Sequence, residues 1–347
     1  DDKLLFSLRK PSSTSPQTKI VAGKAKMFFI KTWRASVFGV YGLMNFTQSA
    51  FREHSKKFNP EEMKVRMDGK NCVVTGANSG IGFAVAESLA SRGANVYIIC
   101  RNKEKGDAAL SEIRSKSNNQ NVFLEICDLS SVSDTKALAS RISSMDMPVH
   151  VLINNAGILE NKKMTTSEGF ETNFAVNVLG TFTLTELLLP SLKKASPEGR
   201  AITVSSGGQY STTVKDDLQF SEGEFNGAEQ YARNKRIQVA LTEKWSQVYK
   251  DAGVAFYAMH PGWAHTPGVA KSLPSFNERL AGKLRTREEG ADTIVWLALQ
   301  PNHKLTCGGF YFDRMEAPKD LFFGATTPFH ANIDPIYKNL RSLASLD

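Results

Sequence analysis

Cysteine is scarce in this chain of 347 residues, which contains only four. No two cysteines share a Cys-x-x-Cys spacing, which argues against a dense disulfide framework and against a cysteine-based zinc site. We therefore expect no metal. Three of the four lie in apolar, strand-like runs, where a free thiol behaves as a small hydrophobic group. This pattern favours a reducing compartment, and we expect the protein in the cytoplasm.

Net charge is absent from most of the chain. The formal charge is +8, and residues 1–70 carry all of it, with 14 Lys and Arg against 6 Asp and Glu. The remainder holds equal numbers of both signs. A neutral body offers no basic groove, so we expect no nucleic-acid partner. The basic N-terminal part is either a solvated lead-in or a segment that meets an anionic surface.

An uninterrupted apolar run of membrane-spanning length is also lacking. Residues 1–26 are rich in Ser, Thr, Pro and Lys and are predicted to be a disordered, leader-like or tag-like extension. Residues 27–67 are predicted to form an N-terminal helical arm. Its apolar part, 27–51, is broken by Lys31 and Arg34, so it either packs on the domain or makes peripheral contact with a membrane. Because the sequence does not begin with methionine, import into an organelle is a further alternative.

Short runs rich in β-branched residues recur after about residue 68. Longer segments with helical spacing separate them, which predicts a parallel sheet covered by helices on both faces. The runs are NCVVT (71–75), ANVYIIC (94–100), NVFLEIC (121–127), VHVLIN (149–154), RAITVSS (200–206), VAFYAMH (254–260) and GGFYFD (308–313). We predict an α/β protein with a doubly wound Rossmann sheet of about seven strands in one domain, 68–316, followed by a tail, 317–347.

The loop after the first run has the glycine spacing of a dinucleotide-binding site. In TGANSGIG (75–82), Gly76 permits a tight turn, Gly80 lets the backbone approach a phosphate, and Gly82 lets helix and strand pack. The following helix N-terminus would face the pyrophosphate. A glycine-rich turn without a ligand is the alternative. The expected contact residues are Gly76, Asn78, Ser79, Gly80, Ile81 and Gly82.

The end of the second strand distinguishes between the two nicotinamide cofactors. An acidic residue there would bind the ribose 2′-hydroxyl of NAD(H), but Arg101 stands there instead. A guanidinium suits a 2′-phosphate, so NADP(H) is predicted over NAD(H). Asp128 and Leu129, after the third strand, are expected beside the adenine. Asp128 is equally placed to cap a helix near Ser130.

Six motifs occur in the order found in the short-chain dehydrogenase/reductase (SDR) family. They are TGANSGIG (75–82), NNAG (154–157), Asn177 in NVLG, Ser206 in VSS, YARNK (231–235) and PGWAHT (261–266). Each motif alone is common, but the ordered set is specific, and over about residues 68–315 the chain resembles this family. The resemblance implies further cofactor contacts at Asn155, Ala156, Gly157, Pro261, Gly262 and Thr266, and at Tyr231 and Lys235.

The resemblance also implies a catalytic set made of Asn177, Ser206, Tyr231 and Lys235. Tyr231 would be the acid, although a free phenol has a pKa of about 10. Lys235, one helical turn away, would favour the phenolate and hold the nicotinamide ribose. Ser206 would hydrogen bond the substrate oxygen, and Asn177 would anchor a water linking Lys235 to solvent. Two alternatives stay open: Ser205 as the relevant serine, and Asn177 bonding only to backbone.

The separation between Ser206 and Tyr231 resembles the branch of the family that acts on retinoids, steroids and similar lipophilic carbonyls. Aromatic and aliphatic residues in the inserted loops are expected to form an apolar pocket over the nicotinamide, with packing among themselves as the alternative. These residues are Tyr210, Phe220, Phe225, Trp263 and Leu273. His265 has no supporting signal as a second acid.

The sequence therefore predicts an NADP(H)-dependent oxidoreductase for a small lipophilic ketone, aldehyde or alcohol. The alternative is an NADP-binding scaffold or membrane-tethered partner with little turnover. By the family resemblance, a homodimer would form through the helices predicted at 167–190 and 228–250, unless the arm covers them.

Overall fold

Eight strands form one sheet in the computed structural model of the chain, which describes residues 16–324, 326 and 333–346. The strands are β1 (Asn71–Thr75), β2 (Asn95–Cys100), β3 (Val122–Ile126), β4 (Val151–Asn154), β5 (Arg200–Val204), β6 (Ala255–Met259), β7 (Phe310–Phe312) and β8 (Met315–Glu316). Their order is β3-β2-β1-β4-β5-β6-β7-β8, and only β7 and β8 pair antiparallel. This confirms the predicted α/β class. The two-residue β8 was not predicted, because it is too short for a periodic pattern.

Helices cover both faces of the sheet, as predicted. The helices are α1 (Pro16–Asn45), α2 (Gln48–Ser55), α3 (Gly80–Ala90), α4 (Lys103–Ser117), α5 (Val132–Ser144), α6 (Thr172–Phe174), α7 (Thr181–Lys194), α8 (Gly227–Val248), α9 (Pro267–Ser272), α10 (Pro274–Arg279), α11 (Arg287–Leu299) and α12 (Ile333–Leu343). One core packs α3, α4 and α11 on the sheet, and the other packs α5, α7 and α8 on its opposite face. Because both faces are covered, the central strands are apolar on both sides.

The strand order reverses between β1 and β4. The chain adds β2 and β3 on one side of β1, and then adds β5, β6 and β7 on the far side of β4. In open parallel sheets, ligands bind outside the carboxyl ends of the strands at such a reversal. The glycine loop after β1 and the NNAG segment after β4 both lie at this point.

The N-terminal helix begins earlier than the sequence predicted. α1 starts at Pro16, so residues 16–26 are helical rather than part of a disordered extension. Proline suits the first helical position because it needs no amide hydrogen bond there. The following QTKIVAGKAK is rich in good helix formers. The rest of the predicted extension, 1–15, lies outside the described residues.

Among the described residues, one helical stretch is long and apolar enough to cross a membrane. It is Thr172–Lys194, which runs through α6, a π-helical turn at Ala175–Gly180 and α7. Of its apolar window, 83% is buried inside the protein. A core helix passes the same test of length and composition, so this stretch is weak evidence for a membrane span.

A buried arginine fastens the N-terminal arm to the domain. Arg285 donates to the backbone carbonyls of Asn45 (2.9 Å) and Phe46 (3.1 Å), at the end of α1. It also forms a bidentate ion pair with Asp313, at 2.5 and 2.9 Å. Asp313 in turn contacts Nδ1 of His54 on α2, at 2.6 Å. One buried charge pair therefore joins α1, α2 and the turn after β7.

Phe46 is the apolar part of the same attachment. It is fully buried, and its ring lies 4.6 Å from His260, 5.3 Å from Phe312 and 5.7 Å from Trp263, measured between ring centroids. Its carbonyl also accepts from the amide of Trp263 at 2.9 Å. The arm thus packs as the amphipathic alternative predicted, directly against the loop that follows β6.

We expect Asp313→Ala to lower the free energy of unfolding by about 3–5 kcal/mol, because it leaves the buried guanidinium of Arg285 without its counter-ion. Urea denaturation would measure the loss, and limited proteolysis should cut the arm faster. The control is Glu53→Ala, which removes an exposed pair with Lys56 on α2 and should leave stability nearly unchanged. Equal stability of the two variants would contradict the role given to Asp313.

Candidate active site

Helix α8 presents Tyr231 and Lys235 on successive turns. Asn226 caps the helix by accepting from the amide of Glu229 at 2.9 Å, which fixes where the first turn begins. The Nζ atom of Lys235 lies 5.4 Å from the centroid of the Tyr231 ring. The structure therefore brings these two side chains together, as the spacing predicts.

The two serines after β5 have different partners. The hydroxyl of Ser205 is buried and donates to the backbone carbonyl of Lys235 at 2.8 Å. Ser206 instead has its side chain beside Tyr231, where it acts to lower the pKa of the phenol, and it accepts from the amide of Gly208 at 3.1 Å. Ser206 is therefore the serine beside the phenol, and Ser205 fastens β5 to α8.

Asn177 lies in the π-helical turn Ala175–Gly180. Its side chain accepts from the amide of Ile158 and donates to the carbonyl of Ile158, both at 2.8 Å. The side chain therefore bonds to backbone, which is the alternative that the sequence left open. Its own backbone carbonyl accepts from Nε2 of Gln238 at 2.6 Å.

Lys235 is almost fully buried. Its Nζ donates to the carbonyl of Val204 at 2.8 Å and to Oε1 of Gln238 at 3.0 Å. A Cβ added at Gly157 would lie 3.3 Å from this Nζ, so the NNAG segment approaches the lysine closely. Burial lowers the pKa of Lys235 to about 7, because the charged form loses hydration.

The pKa of Tyr231 is shifted upward, opposite to the direction that the sequence argument expected. Burial raises the pKa of Tyr231 to about 12, and the neighbouring Ser206 hydroxyl offsets only part of that rise. The sequence argument expected Lys235 to lower it. In this structure the pKa of Lys235 is itself depressed, and its Nζ is directed at Val204 and Gln238, so desolvation of the phenol is the dominant effect.

The glycine loop has the geometry of a phosphate cradle. Gly76 and Gly80 have φ of +66° and +57°, a backbone conformation that other residues rarely adopt. A Cβ at Gly82 would collide with the Gly76 carbonyl and with Asn155. Ser79 precedes α3 without a side-chain cap, which leaves the first amides free for an anion.

The NNAG segment braces this loop. Nδ2 of Asn155 donates to the carbonyl of Thr75 at 2.8 Å and to that of Gly76 at 3.3 Å. The amides of Asn155 and Ala156 both donate to the Thr75 hydroxyl at 3.0 Å. Asn155 therefore holds the loop in shape through its side chain.

A cavity of about 750 Å³ adjoins the loop. Its Lys and Arg side chains are Lys105 on α4, Arg287 at the start of α11, and Arg285, which is paired with Asp313. The sequence analysis did not single out Arg287, because only the packing of α11 on α3 brings it to the loop. Arg101, the predicted phosphate ligand, is exposed just beyond β2 and does not line this cavity.

Asp128, which follows β3, does not cap the next helix. Asp128 accepts from the amide and the hydroxyl of Ser130 at 2.9 and 2.8 Å, but Ser131 caps α5. Leu129 is buried, and its carbonyl lies against Gly180. The expectation that Asp128 and Leu129 contact the adenine stays a prediction.

The loop after β6 lies on the glycine loop. The side chain of Thr266 would be 3.4 Å from a Cβ at Gly80, and its hydroxyl caps α9. Gly262 has φ +72° and packs on Arg285. His265 is exposed, and within the described ranges no group of three His, Cys, Asp or Glu residues could hold a metal.

The predicted apolar pocket is not assembled as expected. Tyr210 is buried in the core and donates to the carbonyl of Pro318 at 2.7 Å. Phe220 and Phe225 pack on each other, with ring centroids 5.4 Å apart. Trp263 packs on Phe38, Phe46 and Phe276. Packing among neighbours, the stated alternative, accounts for these aromatic residues.

The helix face expected to form a dimer is occupied by the C-terminal helix. α12 packs on α8, with Tyr337 against Phe182 of α7 at 5.4 Å. Glu186 on α7 joins the three helices by accepting hydrogen bonds of 2.7–3.1 Å, whose donors are Trp245, Tyr249, Tyr337 and Arg341. Because α12 covers part of this face, the arrangement gives no support to a homodimer through α7 and α8.

The fold and the site define an oxidoreductase that transfers hydride with a nicotinamide cofactor. A family model described as short chain dehydrogenase matches residues 70–275. The chain therefore belongs to the short-chain dehydrogenase/reductase family, which confirms the resemblance inferred from the motifs.

Curated relatives match most of the chain. Dehydrogenase/reductase SDR family member 12 of Bos taurus is 40% identical over 90% of this chain and 98% of its own length, and the Homo sapiens protein is 40% identical over the same shares. Retinol dehydrogenase 12 of Homo sapiens is 38% identical over 72% of this chain and 79% of its own length.

Solved structures share the fold. An uncharacterised protein from Mycobacterium paratuberculosis superposes with a TM-score of 0.64 at 25% identity, over 81% of this chain and 95% of its own. The NADP complex of RhlG from Pseudomonas aeruginosa has a TM-score of 0.59 at 21% identity, over 79% of this chain and all of its own. At this identity, the second likeness concerns the fold alone.

Proposed function

We propose that this protein is an NADP(H)-dependent oxidoreductase that interconverts a lipophilic carbonyl and its alcohol, with Tyr231 as the acid and base. The observation that carries the proposal is the cluster at the carboxyl edge of the sheet. There Tyr231 lies beside Ser206 and beside the buried Lys235.

The residues around the glycine loop fit a dinucleotide. Gly76, Gly80 and the uncapped amides of α3 would hold the pyrophosphate. Lys235 retains an N–H for a ribose hydroxyl, since its two described acceptors use two of three donors. When bound, the cofactor supplies or accepts hydride.

The chain itself manages the proton. The Tyr231 hydroxyl would donate its proton to the substrate oxygen, while Ser206 donates a hydrogen bond to the same oxygen and stabilises developing charge. A protonated Lys235 favours the resulting phenolate. Because burial lowers the pKa of Lys235 to about 7, that support weakens as pH rises through neutrality in the ligand-free protein.

We expect Tyr231→Phe to reduce kcat by about 10²- to 10⁴-fold, because the general acid is lost. NADPH binding, followed by fluorescence titration, should be little changed. Tyr97→Phe is the matched control, since Tyr97 lies in β2 and stacks on Phe123. If Tyr231→Phe turned over substrate like the wild type, proton transfer by Tyr231 would be excluded.

The preference for NADP(H) is supported by the cations near the loop. Arg101 follows β2, and Lys105 and Arg287 line the adjoining cavity. Lys105 and Arg287 inside the cavity, which also contains Glu112 and Glu288, and Arg101 outside it at the end of β2 would together favour the additional phosphate of NADP(H).

We expect Arg101→Glu to weaken NADPH binding by about 10- to 100-fold, since a hydrogen bond to a charged group contributes about 1.5–3 kcal/mol. The Kd of NADH should rise little or fall. Arg52→Glu on α2 makes the same charge reversal at an exposed position and serves as control. A parallel loss of NADPH and NADH affinity would contradict a 2′-phosphate contact.

The lipophilic substrate class rests on the relatives. Retinol dehydrogenase 12 and retinol dehydrogenase 11 of Homo sapiens are named for a lipophilic alcohol and are 38% and 35% identical to this chain. A panel of ketones, aldehydes and alcohols of increasing chain length, followed by NADPH absorbance, tests this proposal. A preference for short, charged substrates would overturn it.

Contact with an anionic membrane surface is proposed for the outer face of α1. Half of the large apolar side chains found exposed among the described residues lie there or on the adjacent tail: Phe29, Trp33, Val40, Leu43, Met44, Phe322 and Phe323. Nε1 of Trp33 donates to the carbonyl of Phe323 at 2.8 Å, which joins helix and tail into one patch. α1 contains five Lys or Arg residues and no acidic residue, a composition typical of interfacial helices.

We expect Phe29→Ser combined with Phe322→Ser to reduce binding to vesicles of phosphatidylcholine and phosphatidylserine, measured by co-sedimentation. The loss follows from removing the two most exposed rings of the patch, which are 76% and 94% exposed. The control pair is Met164→Ser with Met315→Ser, exposed apolar residues elsewhere. Wild-type protein that stays in the supernatant would refute the membrane contact.

A further inference from the structure

Gln238 joins two of the four residues expected to form the catalytic set. It lies on α8, three positions after Lys235, and is 1% exposed. Its Oε1 accepts from Nζ of Lys235 at 3.0 Å, and its Nε2 donates to the carbonyl of Asn177 at 2.6 Å. One side chain therefore connects Lys235 to Asn177, the residue expected to anchor a water between Lys235 and solvent.

The chemistry of the two neighbours fixes the orientation of this amide. An ammonium can only donate hydrogen bonds and a backbone carbonyl can only accept them. The Oε1 atom must then face Lys235, and the Nε2 atom must face Asn177. A reversed amide would place its N–H groups against the ammonium of Lys235 and its oxygen against the carbonyl oxygen of Asn177. Only one orientation of the Gln238 amide is therefore stable.

The side chain of Asn177 is directed at a different segment. Its side-chain oxygen and nitrogen are both used by the backbone of Ile158. Its carbonyl is available because it lies in the π-helical turn Ala175–Gly180, where the regular backbone pattern is interrupted. Gln238 reaches that carbonyl from the facing helix.

We propose that Gln238 is a positioning residue, which fixes the ammonium of Lys235 relative to Tyr231 through its bridge to the carbonyl of Asn177. The inference rests on the proposed function, because it assigns Gln238 a part in the same reaction. A carboxamide does not ionise, so Lys235 is the titratable member of this connection.

Among the groups around Lys235, Gln238 is the one whose substitution can change the charge beside the ammonium. Tyr231 is the titratable group that faces Lys235 from α8 itself. Glu171, on the segment before α6, accepts from Gln230 and from two backbone amides. Arg236 points the other way, to Asp320 at 2.5 Å. Val204 of β5 contributes a backbone carbonyl to Lys235, and Asn177, which is uncharged, has its side-chain oxygen beside Gly157 as Lys235 has its Nζ.

Two substitutions of Gln238 should shift the midpoint of Lys235 titration in opposite directions. Gln238→Glu keeps the shape and adds a negative charge, which favours the ammonium and should move the midpoint of Lys235 titration upward by about one to three pH units. Gln238→Met removes the acceptor at similar volume, which should move that midpoint downward. Gln247→Glu, at an exposed position of α8, controls for added charge on the same helix.

Titration of Lys235 is measured without substrate, by NMR of the ligand-free protein carrying ¹³C-labelled lysine, with Lys235→Arg to assign the resonance. Opposite movements in Gln238→Glu and Gln238→Met, with none in Gln247→Glu, establish the positioning role. An unchanged Lys235 midpoint in the Gln238 variants, or an equal shift of that midpoint in Gln247→Glu, overturns the positioning role. If Gln238→Met does not fold, the isosteric Gln238→Glu decides alone.

The pH profile of kcat gives the second readout. The basic limb should follow the Lys235 midpoint in each variant, whereas a merely structural role of Gln238 would lower activity without moving the limb. A limb that stays in place while the NMR midpoint moves would overturn the role in the reaction. If no substrate is turned over even by the wild type, the proposed function fails, and the NMR titration still decides whether Gln238 governs Lys235.

Discussion

Burial of one cation governs the arrangement of the site. The ammonium of Lys235 has left bulk water, which is costly unless nearby dipoles replace its hydration. Val204 and Gln238 provide two acceptors, and Gly157 leaves room because it has no side chain. The buried Ser205 hydroxyl holds the Lys235 backbone to β5. Strand end, helix and NNAG segment must therefore meet at one point for the cation to be tolerated.

The sheet reversal explains why the phosphate cradle lies beside this cation. β1 and β4 are neighbours, so the loops that follow them emerge side by side at the same edge. Asn155 then bonds the glycine loop through its side chain, and two residues later a Cβ at Gly157 would lie 3.3 Å from Nζ of Lys235. One short segment thus fixes the distance between the part of the crevice that suits a pyrophosphate and the part that holds Lys235 and Tyr231, which we propose transfer the proton.

Local sequence patterns predicted most of the strands and the main site motifs, but they did not predict contacts between segments distant in sequence. Seven strands were predicted to within two residues of their observed ends, because buried parallel strands are continuous apolar runs. The neighbourhood of Tyr231, Lys235 and Ser206 followed from ordered motifs. Gln238 was missed because its role depends on the π-helical turn across from it. Arg287 and α12 were missed because tertiary packing alone brings them to α3 and α8, and aromatic composition does not reveal which aromatic residues pack together.

The arm that the sequence sets apart from the domain is continuous with the site. Phe46 fills the space above Gly207, where a Cβ would collide with its ring, and Gly207 directly follows Ser206. Phe38 and Tyr41 of α1 pack on Trp263 and Tyr210. The opposite face of the same helix carries the exposed apolar patch. A helix that is apolar on both sides needs a partner on each side. One helix therefore carries the surface that we propose meets lipid and, on its other side, packs against the wall beside Ser206.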